Sequence, residues 1–201
     1  MRIKEEYREE TVINKSRFIA CVRTCRTEEE ARAYIEQIRK EYPDASHVCT
    51  AYVCGENNMI QRSSDNKEPS GTAGVPMLES IKKSGLSDVT ACVVRYFGGI
   101  KLGTGGLVRA YGGAVADALS HCAKTIEVPA DEWQITYPYD LSGTIETWLR
   151  RYTELISQSY SDMVTCMIRT ERKDIPETIR NLSKGKVEPE FIQTVMIEKD
   201  A

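Results

Sequence analysis

The stretch from Arg95 to Gly113 constrains the fold of this chain more than any other part of its sequence. It reads Arg-Tyr-Phe-Gly-Gly-Ile-Lys-Leu-Gly-Thr-Gly-Gly-Leu-Val-Arg-Ala-Tyr-Gly-Gly, and it begins in an apolar run that predicts a buried strand over residues 88–97. A helix is predicted from about Gly105 to Cys122. A strand, a glycine loop and a helix together present free amides and a positive helix end to an anion. The pattern therefore predicts either an anion-binding loop or a helix that packs closely through its glycines.

Three basic side chains in this stretch are predicted to contact phosphates around the helix start. The predicted anion-binding or nucleic-acid-binding residues are Arg95, Gly98, Gly99, Lys101, Gly103, Thr104, Gly105, Gly106 and Arg109. Two nucleotide-binding patterns fail here, because Thr104-Gly105 stands where a Walker A loop needs Lys-Ser/Thr, and Val108 where the dinucleotide fingerprint needs Gly or Ala. Gly112 and Gly113 favour packing of the helix on the sheet.

A polar segment, residues 62–76, leads directly into a helix predicted from about Val75 to Ser84. Its hydroxyls can cap that helix or bind an oxyanion. Its two carboxylates can hold a cation, but without a third ligand they make a weak site, and we assign no metal. The residues of this second candidate site are Arg62, Ser64, Asp65, Glu68, Ser70 and Thr72. The alternative is a capped surface loop without a ligand.

Residues for catalysis are scarce. The only histidines are His47 and His121. His47 and Cys49 alternate along a predicted strand and can share a face, which permits a Cys/His pair, although a structural role is the alternative. The chain has neither GxSxG nor HExxH, so we assign no catalytic residue and no cofactor.

The charge distribution permits an anionic partner at one face only. A net charge of −3 argues against a surface that coats nucleic acid throughout. Residues 60–113 nevertheless hold seven Lys and Arg against four Asp and Glu, whereas residues 131–201 hold nine against thirteen. The middle of the chain is therefore locally basic and the C-terminal part is acidic.

The sequence predicts a cytoplasmic protein without membrane contact. No apolar run approaches the ~20 residues that span a bilayer, and the N-terminus lacks the apolar stretch of a signal peptide. The seven cysteines lie mostly among apolar neighbours and form no CxxC, so they are predicted to be small buried residues in a reducing compartment.

The pattern of elements predicts an α+β protein with two domains. Two extended runs (10–13 and 17–23) precede a helix that opens on the capping box Thr27-Glu-Glu-Glu30, and a strand covers 46–54. Residues 125–131 are the predicted linker. Beyond them the order is strand (132–138), helix (141–152), strand (154–160), strand (162–170), helix (174–183) and strand (187–198), which is the ferredoxin-like βαββαβ arrangement.

In its two candidate segments the chain closely resembles the IMPACT/YigZ family. The matching residues are Arg62-Ser-Ser-Asp65, Glu68-Pro-Ser-Gly-Thr-Ala-Gly74 and the run Val94–Gly112. Asn66-Lys67 departs from the Asp-Gly usual at that place, which weakens a metal-binding role. The resemblance implies an N-terminal domain (1–127) like the nucleic-acid-binding βαβ domains of RNase PH and ribosomal proteins. It also implies a ferredoxin-like C-terminal domain (132–201) like those of translation elongation factors.

The resemblance implies a role in translation. Eukaryotic members act in translational control by competing for a scaffold that activates a starvation-responsive kinase. We therefore expect a non-enzymatic, translation-associated regulator that docks RNA, the ribosome or a translation-control protein, with a sheet face of the C-terminal domain as a second contact. The alternatives are an enzyme acting on a phosphorylated small molecule bound at the glycine loop, and a pure protein-interaction module.

Overall fold

A computed structural model describes residues 1–201, which form two compact units. Unit 1 comprises Met1–Ile126 with Asp200–Ala201, and unit 2 comprises Glu127–Lys199. The architecture is mixed α+β with five helices and two sheets, and this confirms the predicted fold class. Whether residues 1–127 and 132–201 fold as independent domains stays a prediction.

Unit 1 is a five-stranded sheet with helices on both faces. The strands of that sheet are β2 (Tyr7–Ile13), β3 (Ser16–Thr24), β4 (His47–Cys54), β5 (Ile60–Ser64) and β6 (Val89–Tyr96), and the helices are α1 (Glu28–Glu41), α2 (Gly74–Ser84) and α3 (Gly103–His121). The two-residue strand β1 (Arg2–Ile3) belongs to the other sheet. The sheet order is β2-β3-β6-β4-β5, and every pairing is antiparallel. Because β3 and β4 both run antiparallel to β6, they are parallel to each other, and α1 connects them as a βαβ crossover split by β6.

Local signals place the first elements of unit 1. The β2–β3 hairpin turns at Asn14 and Lys15, whose φ angles of 46° and 64° are left-handed. Thr27 caps α1, since its hydroxyl oxygen accepts from the Glu30 amide at 3.2 Å. The Glu30 carboxylate accepts from the amide of Arg26, one residue before the cap. The predicted capping box is therefore confirmed with a shift of one residue on its return arm.

The sheet of unit 1 is buried on both faces. Ala91 and Val93 of β6 pack with α2 and α3, whereas Cys92 and Val94 pack with α1. This explains why the strand is a continuous apolar run rather than an alternating one, since both faces are covered. The arrangement positions the end of β6, and the loop that follows it, at the start of α3.

Unit 2 has the predicted ferredoxin-like order. Its elements are β7 (Lys124–Tyr137), α4 (Ser142–Tyr152), β8 (Glu154–Tyr160), β9 (Val164–Thr170), α5 (Ile175–Leu182) and β10 (Glu190–Asp200). The strands lie in the order β10-β7-β9-β8. Residues from both helices and from β7 and β9 share one core, which includes Ile135, Ile145, Leu149, Ile168 and Ile179.

Three charged side chains lie side by side on the sheet of unit 2. Glu132, Arg169 and Glu154 are paired across β7, β9 and β8, and they alternate with residues that point into the core. Arg169 donates to Glu132 at 2.7 Å and lies 3.3 Å from Glu154. One arginine between two glutamates makes this part of the sheet acidic, and the second contact expected at a sheet face of unit 2 stays a prediction.

The division between the units, after Ile126, falls inside the predicted linker of residues 125–131, but this segment is part of the continuous strand β7 rather than an irregular connection. The beginning of β7 pairs with β1 through Lys124 and Thr125, and pairing with β9 starts at Asp131. Pro129 lies between these two stretches, so its missing N–H removes no bond from the ladders with β1 and β9. A Val-Pro-Ala sequence is typical of a linker, but pairing with β1, β9 and β10 makes these residues part of a strand.

All seven cysteines are free and buried, which confirms their prediction as small core residues. None of the helices combines the length and the hydropathy that crossing a membrane requires.

Candidate functional site

The polar segment and the glycine stretch, which are separate in the sequence, meet at one cavity of unit 1. Its volume is about 410 Å³, within the ~300–1,000 Å³ typical of sites for small organic ligands. The lining residues are His47, Glu68, Pro69, Arg95, Phe97, Lys101, Leu102, Gly103, Thr104 and Leu107. We call this cavity the α3 cleft, because the start of α3 forms one of its walls.

A buried carboxylate, Glu68, organises the floor of the α3 cleft. Its Oε1 accepts hydrogen bonds from Arg95 Nη1 at 2.5 Å and from the Tyr111 hydroxyl at 2.7 Å. The side chains of Glu68 and Arg95 are only 4% and 5% exposed. Burial, with Cys49 and Glu68 nearby, raises the pKa of Tyr111, so its hydroxyl stays a donor. A buried ion pair of this kind is held by geometry and hydrogen bonds rather than by water.

The structure changes the predicted role of Arg95, which lies beneath the cleft surface. Its guanidinium lies over the rings of Phe18 and Phe97, 5.3 and 5.5 Å from their centroids. Its Nε is buried and has no hydrogen-bond partner. Because Glu68 already neutralises its charge, Arg95 is a floor residue rather than a surface phosphate contact. Lys101 is the exposed cation of the cleft.

Asp65 anchors the polar segment by capping α2. Its carboxylate accepts hydrogen bonds from the amides of Gly71, Ala73 and Gly74 at 2.8–2.9 Å. Partial burial opposes ionisation, but the three hydrogen bonds outweigh it and lower the pKa of Asp65 below its ordinary value.

Neither hydroxyl that was expected to cap α2 does so. Thr72 is buried and donates to the Pro69 carbonyl at 2.6 Å, and Ser70 is exposed. An ionised carboxylate accepts more strongly than a hydroxyl, so Asp65 occupies the helix start instead. Asp65 and Glu68 are thus both engaged by donors of the protein itself, which removes them as a ready pair of cation ligands.

The glycine loop depends on one close approach and on left-handed backbone. A Cβ atom at Gly98 would overlap the backbone of Lys15. Gly99 and Gly103 have φ angles of +84° and +72°, which side chains rarely adopt. Glycine at these positions brings the loop from the end of β6 to the start of α3.

The start of α3 is the uncapped helix terminus of unit 1. No side chain caps it, whereas Thr27 caps α1 and Asp65 caps α2. Its first amides therefore have no partner within the helix. In this first turn Thr104 and Gly105 are exposed and Gly106 is half-buried.

Gly112 does not pack α3 against the sheet as predicted. A Cβ at Gly112 would lie 3.4 Å from Pro76 Cβ and 3.5 Å from Ser80 Oγ. Gly112 therefore lets α3 approach α2, not the sheet. A Cβ at Gly113 would meet nothing within 4 Å, so close packing does not explain that glycine.

The remaining predicted residues do not line the α3 cleft. Arg109 lies exposed on α3 just beyond its first turn. Arg62 and Ser64 line a separate groove of about 440 Å³ beside α1, with Arg32 and Tyr52. The two candidate segments are therefore joined only through Glu68 and the end of the polar loop.

Sequence reasoning gave little weight to His47, which lies in the cleft. Its Nδ1 is 2.9 Å from the Asn66 carbonyl and its Nε2 is 3.7 Å from Glu68 Oε1. A proton on Nδ1 satisfies that carbonyl and leaves Nε2 as an acceptor. Cys49 is no nucleophile, because burial raises the pKa of its thiol to about 12.

Phe97 and Tyr111 were not predicted as site residues at all. Phe97 is 49% exposed in the cleft wall, and Tyr111 is fully buried below it. An exposed phenylalanine next to paired glycines was the available signal for the first. The role of Tyr111 depends on Glu68, 43 residues away, and left no local signal.

A split βαβ unit followed by a ferredoxin-like unit defines a class of two-unit α+β proteins, and comparisons with known proteins narrow it. The family model for the Impact N-terminal domain matches residues 14–119. IMPACT family member YvyE of Bacillus subtilis is 42% identical over 201 residues, covering 98% of this chain and 93% of that protein. The chain therefore belongs to the IMPACT family.

Two further proteins are similar over most of their length. IMPACT family member YigZ of Escherichia coli is 38% identical over 182 residues, which is 88% of this chain and 89% of that protein. A crystal structure described as that of a hypothetical protein superimposes with a TM-score of 0.59 at 34% identity, covering 96% of both chains. These similarities support the fold across both units.

Proposed function

We propose that this chain is a non-enzymatic, translation-associated binding protein that docks RNA at the α3 cleft. Membership in the IMPACT family supports the link with translation, since its eukaryotic members act in translational control. The observation that carries the choice of RNA is the conjunction, in one cleft, of an uncapped helix start and an exposed lysine, Lys101. Both favour phosphate.

The cations around the start of α3 are available to a partner. Lys101 and Arg109 are exposed and form no ion pair within the chain, and Lys15 is exposed beside Gly98. By contrast, Arg17 and Arg32 are paired with Glu10 and Glu28. Unpaired cations release counterions when they neutralise phosphates, which is the main source of affinity for nucleic acid.

The test is RNA binding by the double variant Lys101→Ala/Arg109→Ala, measured by fluorescence anisotropy across a salt series. We expect weaker binding and a plot of log K against log salt that is shallower by about 1 to 2, one increment for each lost phosphate contact. Arg95 is left intact, because its removal would leave Glu68 buried without its partner.

The matched control is Lys40→Ala/Lys83→Ala, which removes the same charge from exposed positions on α1 and α2. If affinity and salt slope are the same in the two double variants, the effect is one of net charge and the α3 cleft is not the RNA site. Circular dichroism of both variants verifies that they are folded.

A second candidate function, an enzyme acting on a phosphorylated small molecule, is favoured by His47. Its Nδ1 is held by a backbone carbonyl while Nε2 faces Glu68 across the cleft floor, an orientation that suits a general base. This candidate requires saturable binding of a free phosphate ester such as AMP.

A further inference from the structure

The walls of the α3 cleft differ in chemistry from one side to the other. Phe97, Leu102, Leu107 and Pro69 form an apolar side, and Lys101 with the first residues of α3 forms a cationic side. A ligand that fills both sides needs an apolar, preferably aromatic, body and an anionic group a short distance from it. Neither a bare phosphate nor an apolar molecule would use the whole surface.

Phe97 is held in place as a platform. Its amide donates to Ser46 Oγ at 3.1 Å, and the guanidinium of Arg95 lies over its ring, 5.5 Å from the centroid. The side chain nevertheless remains 49% exposed. A fixed aromatic ring with free surface beside a cationic wall is the arrangement on which nucleic-acid bases stack, and only an unpaired base can reach it.

The polar side of the cleft has unused hydrogen-bonding capacity in two places. The helix start of α3 lacks a side-chain cap, and Arg95 lines the same cavity with a side chain that is only 5% exposed and an Nε without a partner. A buried donor without a partner lowers the stability of the free protein. Such a group is expected where a ligand or an ordered water completes the site.

We propose that the α3 cleft binds one unpaired nucleotide, with its base against Phe97 and its phosphate at the start of α3 beside Lys101. The inference rests on the proposed function and specifies its ligand: single-stranded rather than duplex RNA. The same chemistry is present in a free nucleoside monophosphate, which is the ligand that the second candidate function needs.

The experiment compares a labelled short RNA strand, the same strand annealed to its complement, and free AMP. The proteins are wild type, Phe97→Ala, Phe97→Trp, Ile100→Ala and Lys101→Ala/Arg109→Ala. We expect the single strand to bind at least about tenfold more tightly than the duplex, and Phe97→Ala to lose about tenfold in affinity for it, the effect of one base stacked on an aromatic ring. Phe97→Trp retains the ring and the affinity.

Ile100→Ala is the matched control, because Ile100 is a 43% exposed apolar residue of the same loop that does not line the cleft. Equal binding of single strand and duplex, with Phe97→Ala unchanged, overturns the nucleotide site. If Lys101→Ala/Arg109→Ala still weakens binding in that case, RNA docking itself survives.

A different result would support the nucleotide site and contradict RNA docking. If RNA does not bind but AMP binds and depends on both Phe97 and Lys101, the nucleotide site stands and RNA docking falls. If neither AMP nor single-stranded RNA depends on Phe97, the inference is wrong whatever else the protein binds.

Discussion

The buried residue Glu68 helps to shape the cleft at a cost in the stability of the protein. The side chains of Glu68 and Arg95 are only 4% and 5% exposed. A charged pair that is buried to this extent is seldom more stabilising than a well-packed apolar pair. Here it adds a hydrogen bond from Tyr111 and leaves Arg95 Nε without a partner. We interpret the pair as a device that fixes the position of Arg95 beneath Phe97.

Glu68→Gln is expected to lower the free energy of unfolding by about 3–5 kcal/mol, because it leaves the guanidinium of Arg95 buried without a counter-charge. The measurement is urea denaturation followed by circular dichroism. Glu79→Gln is the control, since Glu79 forms an exposed i,i+3 pair with Lys82 and surface pairs contribute little. A loss in Glu68→Gln no larger than in the control would show that the buried guanidinium of Arg95 does not need the charge of Glu68.

The three helices of unit 1 differ in whether a side chain accepts hydrogen bonds from their first amides. Thr27 caps α1 from inside its own sequence, whereas the carboxylate of Asp65 reaches α2 from the polar loop. The start of α3 has no cap. The polar loop is therefore structural at Asp65, and the glycine loop leaves its helix end without a side-chain cap.

The cap on α2 predicts a pH dependence. Asp65 has a folded-state pKa below its unfolded value, so its stabilising effect is complete above about pH 4 and is lost as the pH falls through the lower, folded-state pKa. Asp65→Asn keeps an acceptor but no charge. We expect it to be less stable than wild type by about 1–2 kcal/mol at neutral pH, with the difference shrinking in acid.

The difference is measured by urea denaturation at neutral and at acid pH. Asp162→Asn is the control, because Asp162 is exposed in the turn between β8 and β9. A wild type and an Asp65→Asn variant that differ by the same amount at both pH values would rule out a charged cap.

For the whole molecule, the property to test is its link with translation. The IMPACT-family match covers residues 14–119, and relatives match nearly the full length. The chain is therefore expected to migrate with ribosomal subunits or polysomes in a salt-sensitive way when native lysate is sedimented, and nuclease treatment is expected to release it. Lys101→Ala/Arg109→Ala should migrate less, and Lys40→Ala/Lys83→Ala should migrate like wild type.

The alternatives give distinct sedimentation patterns. Residence in the light fractions at every salt concentration would contradict a translation-linked role. Capture that survives nuclease in full would contradict RNA as the partner and would favour docking to a protein.

Much of the fold was predictable because its signals are local. The capping box at Thr27, the turn at Asn14 and Lys15, and the glycine stretch after β6 each act within a few residues. The ferredoxin-like order of unit 2 follows from element types in sequence. The division between the units falls within the predicted linker, but the local Val-Pro-Ala sequence does not encode the strand pairing that makes residues 125–131 part of β7.

By itself the sequence determined most of the elements, the α+β class and the two segments that form the cleft, because helix caps, turns and hydrophobic periods depend on neighbouring residues. Only the tertiary structure decided that Arg95 is buried with Glu68, 27 residues away, and that Asp65 rather than Ser70 or Thr72 caps α2. It also decided that Phe97 and His47 face the same cavity as Lys101. These outcomes depend on which distant residues come together when α2 and α3 pack on the sheet. A local sequence pattern carries no information about such contacts.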